Sequence, residues 1–211
     1  MNIRKKHGLD PTKSQIINIE SGSFGKAPRT DLDVSFDNTT VNPGSYTFEK
    51  MLSGGYFGGL CLSILRAAAK EGVFSELTAS NIMSLTELSS EEVNNFVSNS
   101  PSGLGPLYQY MTDKPDEESC INIIESLIDR AGKLVAANLA AVILKTNKGK
   151  SPARSVLITI EGTTFYKLHN LRSQFEKYFS EYLTGERERF FEFTEVKQSS
   201  LVGAALAALI N

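Results

Sequence analysis

The chain has little that would tie it to nucleic acid, to a membrane or to a metal. Its 22 basic residues are offset by 24 acidic ones, a formal net charge of -2, so nothing in the whole-chain charge calls for nucleic acid or an anionic surface as partner. No apolar run reaches the length of a membrane-spanning segment. The basic stretch Arg4-Lys-Lys-His7 has no apolar run behind it, so no secretory signal is expected and a cytoplasmic protein is. Cys61 and Cys120 lack metal-ligand spacing and fall inside helical patterns, which reads as buried structural thiols. His7 and His169 lie far apart without ligand-like neighbours and read as surface residues. No repeat or low-complexity tract competes with a globular reading. With 211 residues, 41% of them hydrophobic, the chain can bury a sizeable core as one large domain or two small lobes.

The order of elements indicates α/β architecture. Gln15-Ile-Ile-Asn-Ile19 is an extended apolar run and Asp31-Leu-Asp-Val-Ser-Phe36 alternates, so both are expected as strands at a small sheet edge. From Tyr46 to about Glu71, Phe48, Leu52, Tyr56, Leu60 and Ile64 recur every four residues, the stripe of one long amphipathic helix entered through Asn42-Pro-Gly and stopped at Gly72. Residues 75 to 114 are more polar, punctuated by Ser89-Ser-Glu-Glu92 and Asn99-Ser-Pro-Ser-Gly103, and read as small outer helices and connections. Apolar positions from Ile121 to Ile143 predict a helix from Asp116 to about Thr146, about 45 Å long. Its Ala136, Ala137, Ala140 and Ala141 leave room for a close neighbour.

The remainder alternates between strand and helix. Ser155-Val-Leu-Ile-Thr-Ile160 is nearly continuous in apolar character, as expected of a strand covered on both faces. A helix from Leu171 to Leu183, a strand Arg189-Phe-Phe-Glu-Phe-Thr194 and an apolar helix from Leu201 to Ile210 follow. Strand, helix, strand, helix implies an α/β sheet with crossover connections.

In such sheets the chemistry belongs to loops at strand ends and to helix starts, and three places qualify. Glu161-Gly-Thr-Thr164 follows a strand, where a Gly-Thr pair either presents N–H groups and a hydroxyl to phosphate oxygens or makes an ordinary turn. Gly54, Gly55, Gly58 and Gly59 fall in the expected long helix, where each glycine costs about 1 kcal/mol relative to alanine. Either a ligand or another element must come close to them. Third, Glu195-Val-Lys-Gln-Ser-Ser-Leu-Val-Gly-Ala-Ala-Leu206 reads as a turn into an apolar helix with serine caps. Two carboxylates stand out beside glycine-rich backbone. Glu20 lies in Ile17-Asn-Ile-Glu-Ser-Gly-Ser-Phe-Gly25, and Glu49 in Asn42-Pro-Gly-Ser-Tyr-Thr-Phe-Glu-Lys50. Ionised acceptors suit sugar hydroxyls; taken singly, Glu49 equally suits a helix-dipole contact and Glu20 a solvated strand end.

These two stretches resemble the eukaryotic-type hexokinase family, in which an Asn-x-Glu-x-Gly-x-Phe-Gly strand end and an Asn-Pro-Gly-x-x-x-(aromatic)-Glu-Lys helix start each supply a glutamate to the sugar. The resemblance runs from about residue 15 to the C-terminus, leaving residues 1–14 as a lead segment and 15–211 as the C-terminal, larger-lobe domain. It implies an actin-like, ribonuclease-H-like ATPase fold with long helices packed on a mixed sheet. It implies ATP-dependent phosphorylation of a hexose at its 6-hydroxyl, with ATP and Mg²⁺ as cofactors. Glu20 and Glu49 would bind the sugar; Gly54, Gly55, Gly162, Thr163, Ser200 and Gly203 would flank ATP. Departures from the family's pattern are Ser21 for a frequent tryptophan, Tyr46 for a polar amide, Gly55 for a basic residue, Glu161 for an aspartate, and Ser199 and Leu201 for two glycines of the adenosine turn.

Three family segments are missing from these 211 residues: an Asp-x-Gly-Gly-Thr phosphate loop, a Ser-Lys sugar loop and an Asn-Asp-Thr segment carrying the proposed base. The resemblance therefore implies an incomplete catalytic unit, with a separate N-terminal half as a partner. The alternative it leaves is a non-catalytic sugar- or nucleotide-binding or regulatory module.

Overall fold

The computed structural model describes residues 16–98, 105–196 and 198–210. The lead segment, His7 and the turn at 99–103 lie outside the described residues. Ten α-helices and two strands are found among those described: α1 (Asp31–Asp37), α2 (Thr47–Lys50), α3 (Phe57–Lys70), α4 (Glu76–Ser84), α5 (Ser90–Val97), α6 (Pro106–Tyr110), α7 (Lys114–Thr146), β1 (Val156–Thr159), α8 (Thr163–Lys167), α9 (Leu171–Tyr182), β2 (Phe191–Thr194) and α10 (Ser199–Ile210).

Capping explains the first correction. The stretch expected as a strand over 31–36 is α1, because Thr30 and Asp33 form a capping box. The Asp33 N–H donates to Thr30 Oγ1 at 3.2 Å and the Thr30 N–H to Asp33 Oδ2 at 2.8 Å. Two reciprocal bonds at a helix start outweigh a short alternating pattern. The stretch 16–19 likewise joins no sheet: Ile16, Ile17 and Ile19 are all more than half exposed.

The single long helix expected over 46–71 is two helices. α2 ends at Lys50, a turn carries Gly54 and Gly55, and α3 begins at Phe57. Gly54 and Gly55 therefore carry no helix penalty; of these four glycines, Gly58 and Gly59 sit inside a helix. The expected stop at Gly72 is there in left-handed backbone (φ +74°), with the Val73 N–H donating to Ala68 O and the Gly72 N–H to Ala69 O.

α7 divides the hydrophobic interior. Its first half, with Cys120, Ile124 and Ile128, closes a core against α3, α4, α5 and α6 that includes Phe57, Cys61, Leu65, Ile82 and Phe96. Burial pushes both thiols up, Cys120 to about 12 and Cys61 further, so each is an inert apolar filler. The second half of α7 receives α9: Ala136, Ala140 and Ile143 meet Phe175 and Phe179, which also pack on Ile158 of β1. At Gly132 a Cβ would stand 2.8 Å from Gln174 Cβ and 3.0 Å from the Phe175 nitrogen, so small residues set how close the two helices come.

β1 and β2 pair in parallel, Val156 opposite Phe191 and Thr159 opposite Thr194, with α8 and α9 between them in sequence. The mixed sheet expected is, among the described residues, this two-stranded parallel ribbon. β1 is not covered on both faces: Ile158 is buried while Leu157 is 67% exposed. α10, apolar along its length, is exposed too, with Leu201 at 66% and Leu209 at 83%.

Candidate functional site

The two glutamates, 29 positions apart in sequence, belong to segments that fold against one another. Glu20 adopts left-handed backbone (φ 49°, ψ 51°) and starts a 3-10 turn over Ser21–Ser23, which packs on α2. Its Oε1 accepts from Asn18 Nδ2 at 2.6 Å, leaving the carboxylate otherwise exposed. Tyr46, the residue before α2, is also left-handed (φ 51°), and Glu49 sits in the first turn of that helix. Gly22 is the meeting point. A Cβ there would lie 3.1 Å from Glu49 Oε2 and 3.7 Å from Cδ1 of Tyr46, so a side chain would crowd the carboxylate. Left-handed backbone at a non-glycine residue costs about 1–2 kcal/mol, and here it occurs at both Glu20 and Tyr46. Such strain persists where surroundings over-determine it.

Those surroundings include contacts the sequence did not signal. Ser21 Oγ donates to Asn138 Oδ1 at 3.0 Å, tying the Glu20 turn to α7. Phe24 meets Phe48 edge-on, with ring centroids 6.2 Å apart, above a small core of Ala27, Phe48 and Met51. Asp33 receives both terminal nitrogens of Arg130 at 2.8 Å, which fastens α1 to α7. Burial pushes the Asp33 carboxyl up, but the Arg130 and Thr30 hydrogen bonds outweigh it and hold the group below its ordinary range.

A second cluster gathers around the loop after β1. Gly54 faces Thr164, whose Oγ1 and Cβ occupy the space a Gly54 Cβ would need. Ser90 Oγ donates to Gly54 O at 2.5 Å and accepts from the Gly58 N–H at 2.9 Å, pinning the Gly54 turn to the start of α5. The glycines therefore divide. Gly58 is in contact with the backbone of Leu88, Ser89 and Ser90, Gly59 faces the Phe36 ring, and Gly55 has open space around it. Close approach of other elements accounts for Gly58 and Gly59. Gly162 is the residue before α8 and is extended in a conformation with φ +139°, which favours glycine, while Thr163 is exposed. It is Thr164, not Thr163, that reaches across to Gly54; the pair Thr163-Thr164 gives no sign of which faces inward until the start of α8 is fixed.

Glu161 joins this loop to α10. Its Oε2 accepts from Ser199 Oγ, from Ser200 Oγ at 2.7 Å and from the Ser200 N–H at 3.0 Å. These bonds hold the carboxyl below its ordinary range. Ser200 is thus spent on a carboxylate of the chain itself, and Gly203 lies within α10 with nothing close to it. Lys133 places its Nζ 4.6 Å from the centre of the Tyr178 ring. The His169 N–H donates to Asn94 Oδ1.

Among the described residues no group of three or more histidine, cysteine, aspartate or glutamate side chains is placed to hold a metal, and no helix is long and apolar enough to cross a membrane.

The fold is that of solved hexokinases. The Schistosoma mansoni enzyme complexed with glucose superposes with a TM-score of 0.72 at 21% identity, over 89% of this chain and 44% of that one. In sequence, a hexokinase-like 1 protein of Arabidopsis thaliana is 24% identical across 99% of this chain and 46% of its own length. Rat hexokinase-2 is 32% identical over 72% of this chain and 18% of its own length. The chain therefore spans less than half the length of the relatives it matches. The architecture is the actin-like ATPase fold of a hexokinase's C-terminal portion. The family model described as Hexokinase matches residues 1–210, and the chain belongs to the hexokinase family.

Proposed function

We propose that this chain is the sugar-gripping, nucleotide-flanking portion of a hexose kinase, a single domain over residues 15–211. One observation carries the reading: the Glu20 turn and the Glu49 helix start, each held in left-handed backbone, meet across Gly22. Two carboxylate acceptors on segments that meet, one exposed and one half-buried, suit a polyhydroxylated ligand whose hydroxyls donate to them. The phosphate side is the Gly54 turn against Thr164, followed by Gly162 with open space around it, the exposed Thr163, and Ser200 and Gly203 in the first half of α10. Open backbone at Gly55 and Gly162 fits close approach by ATP phosphates. Mg²⁺ is held chiefly through nucleotide phosphates and few carboxylates, so it would arrive with ATP.

Phosphoryl transfer also needs a group to take the proton from the sugar hydroxyl, and neither Glu20 nor Glu49 is a natural base for that step. The partner that fits is a separate N-terminal half bearing the Asp-x-Gly-Gly-Thr, Ser-Lys and Asn-Asp-Thr segments. The uncovered Leu157 of β1 and the apolar α10 support such a partner, since a helix apolar on all sides is normally buried. The test is a coupled ATP-consumption assay with glucose, fructose and mannose, run on the chain alone and after mixing with an N-terminal hexokinase half. Weak sugar binding without appreciable turnover is expected of the chain alone, and turnover is expected of the mixture. Phosphorylation of glucose by the isolated chain at ordinary hexokinase rates would refute this.

A second reading, a non-catalytic binding or regulatory module, is favoured by the start of α10. There Glu161 takes the serine donors, and Ser199 and Leu201 stand where the family keeps glycines. Failure of the mixture to turn over, with sugar binding intact, would select it.

A further inference from the structure

Asp37 closes α1 and lies on neither glutamate-bearing segment, yet its carboxylate holds both. It is 4% exposed and takes donors from three separate places in the chain: Lys50 Nζ at 2.6 Å, the Gly44 N–H at 2.9 Å and Arg29 Nη1 at 3.3 Å. Arg29 is on the stretch that leaves the Glu20 turn. Gly44 and Lys50 bracket Tyr46 and Glu49. Lys50, itself 3% exposed, also donates to Asn42 O at 2.6 Å, so the loop ahead of α2 is fastened at both Asn42 and Gly44. That loop holds left-handed backbone at Gly44 (φ +80°) and Tyr46 (φ +51°), which needs such fastening to persist.

We propose that Asp37 is a positioning residue that fixes Glu20 and Glu49 relative to one another; this rests on the sugar reading of the two glutamates. Asp37 touches no substrate and acts through the segments it ties. The chemistry of the contacts makes a carboxylate necessary. All three partners are donors and two are cations, so both oxygens must accept and the charge must offset a buried ammonium. Asparagine has the same shape, but its amide nitrogen would face donors on one side, and the Lys50 charge would be left without an anion.

The test uses the full chain and the variants Asp37→Asn, Arg29→Met, Glu49→Ala and the combinations of each of the first two with Glu49→Ala. Glucose affinity is measured by calorimetric titration and amide exchange by mass spectrometry. Asp37→Asn is expected to weaken glucose binding about tenfold in the native background and by about twofold or less once Glu49 is alanine, because residues sharing one network are non-additive. Amides of 20–24 and 44–50 are expected to exchange faster while those of α7 keep their protection. Additive losses, full affinity in Asp37→Asn, or faster exchange in only one of the two segments would overturn the proposal. Arg29→Met, which alters the more exposed arm, carries the same cycle if Asp37→Asn does not fold. If the native chain shows no glucose binding, the sugar reading fails, and amide exchange alone decides whether Asp37 holds both segments.

Discussion

Replacing Gly58 with alanine sets two effects of opposite sign against each other. Alanine is the better helix former by about 1 kcal/mol, so at an open position inside α3 the change would stabilise. At Gly58 the new Cβ would meet Leu88 O and Ser89 C and stand only 2.6 Å from the Ser90 nitrogen. These are backbone atoms at the start of α5, locked by the capping box in which the Ser89 N–H donates to Glu92 at 2.7 Å. No rotamer change can clear them, so α5 must move. Moving it strains the Ser90 hydroxyl bridge between Gly58 N and Gly54 O. Overpacking of this kind costs about 1–3 kcal/mol, and lost hydrogen bonds about 1 kcal/mol each. The expected net result is a destabilisation of about 2 kcal/mol, read as a lower urea midpoint at unchanged slope. Gly203→Ala is the control, because no atom lies within 4 Å of its Cβ position; it should be neutral or slightly stabilising. A Gly58→Ala protein as stable as the native chain would refute the claim that α5 is held that close to α3.

Three further outcomes follow from other contacts. Asp33 is held below its ordinary carboxyl range, so its contribution is present above the unfolded value of 3.8 and lost as pH falls through the lower folded value; Asp33→Asn should lower stability at neutral pH by about 3 kcal/mol, the scale for breaking a buried ion pair, and flatten the acid limb of a pH–stability curve, and an unchanged limb would contradict it. Buried Asp116 accepts from the Ser75 N–H at 2.9 Å, Ser75 Oγ at 2.6 Å and Thr112 Oγ1 at 3.3 Å, so Asp116→Ala should cost about 1–3 kcal/mol in chemical denaturation by removing the acceptor these three donors share. Glu161→Ala should speed amide exchange through the first turn of α10 with the rest of the chain unaffected, since the serine donors lose their acceptor; unchanged exchange there would mean the carboxylate does not hold the helix start.

What the sequence made legible was local. The apolar repeat from Ile121 to Ile143 falls within α7, with Ile124, Leu127, Ile128 and Ile143 buried, and the apolar run over 155–160 contains β1, because long or strongly patterned segments advertise their period without help from distant neighbours. The errors fall where a short-range signal competed with the pattern. Thr30 and Asp33 turned an alternating segment into a helix. The turn around Gly54 split the stripe: Phe48 and Met51 join the small core with Ala27, whereas Phe57, Cys61 and Leu65 of α3 join the main one.

The same division applies to the site. Glu20 and Glu49 were visible because each sits in a contiguous motif, and the fold then had only to bring two nearby segments together. Asp37, Arg29 and Asn138 were not visible, since an acid at the end of a short helix and an amide on a long one carry no local mark of what they hold. Their roles exist only as distances in the folded chain: Asp37 meets Arg29, Gly44 and Lys50, 7 to 13 positions away, and Asn138 meets Ser21, 117 residues away. The exchange of Ser199 and Leu201 for glycines was visible, but its consequence was not. Glycine at those positions would have left the start of α10 accessible at the backbone, whereas serine at 199 adds a hydroxyl that Glu161, 38 residues away, can engage. A carboxylate bound there must be displaced before an anionic nucleotide can use the same donors. That competition, more than the missing glycines themselves, is the physical reason to expect weak nucleotide binding on this side of the proposed site.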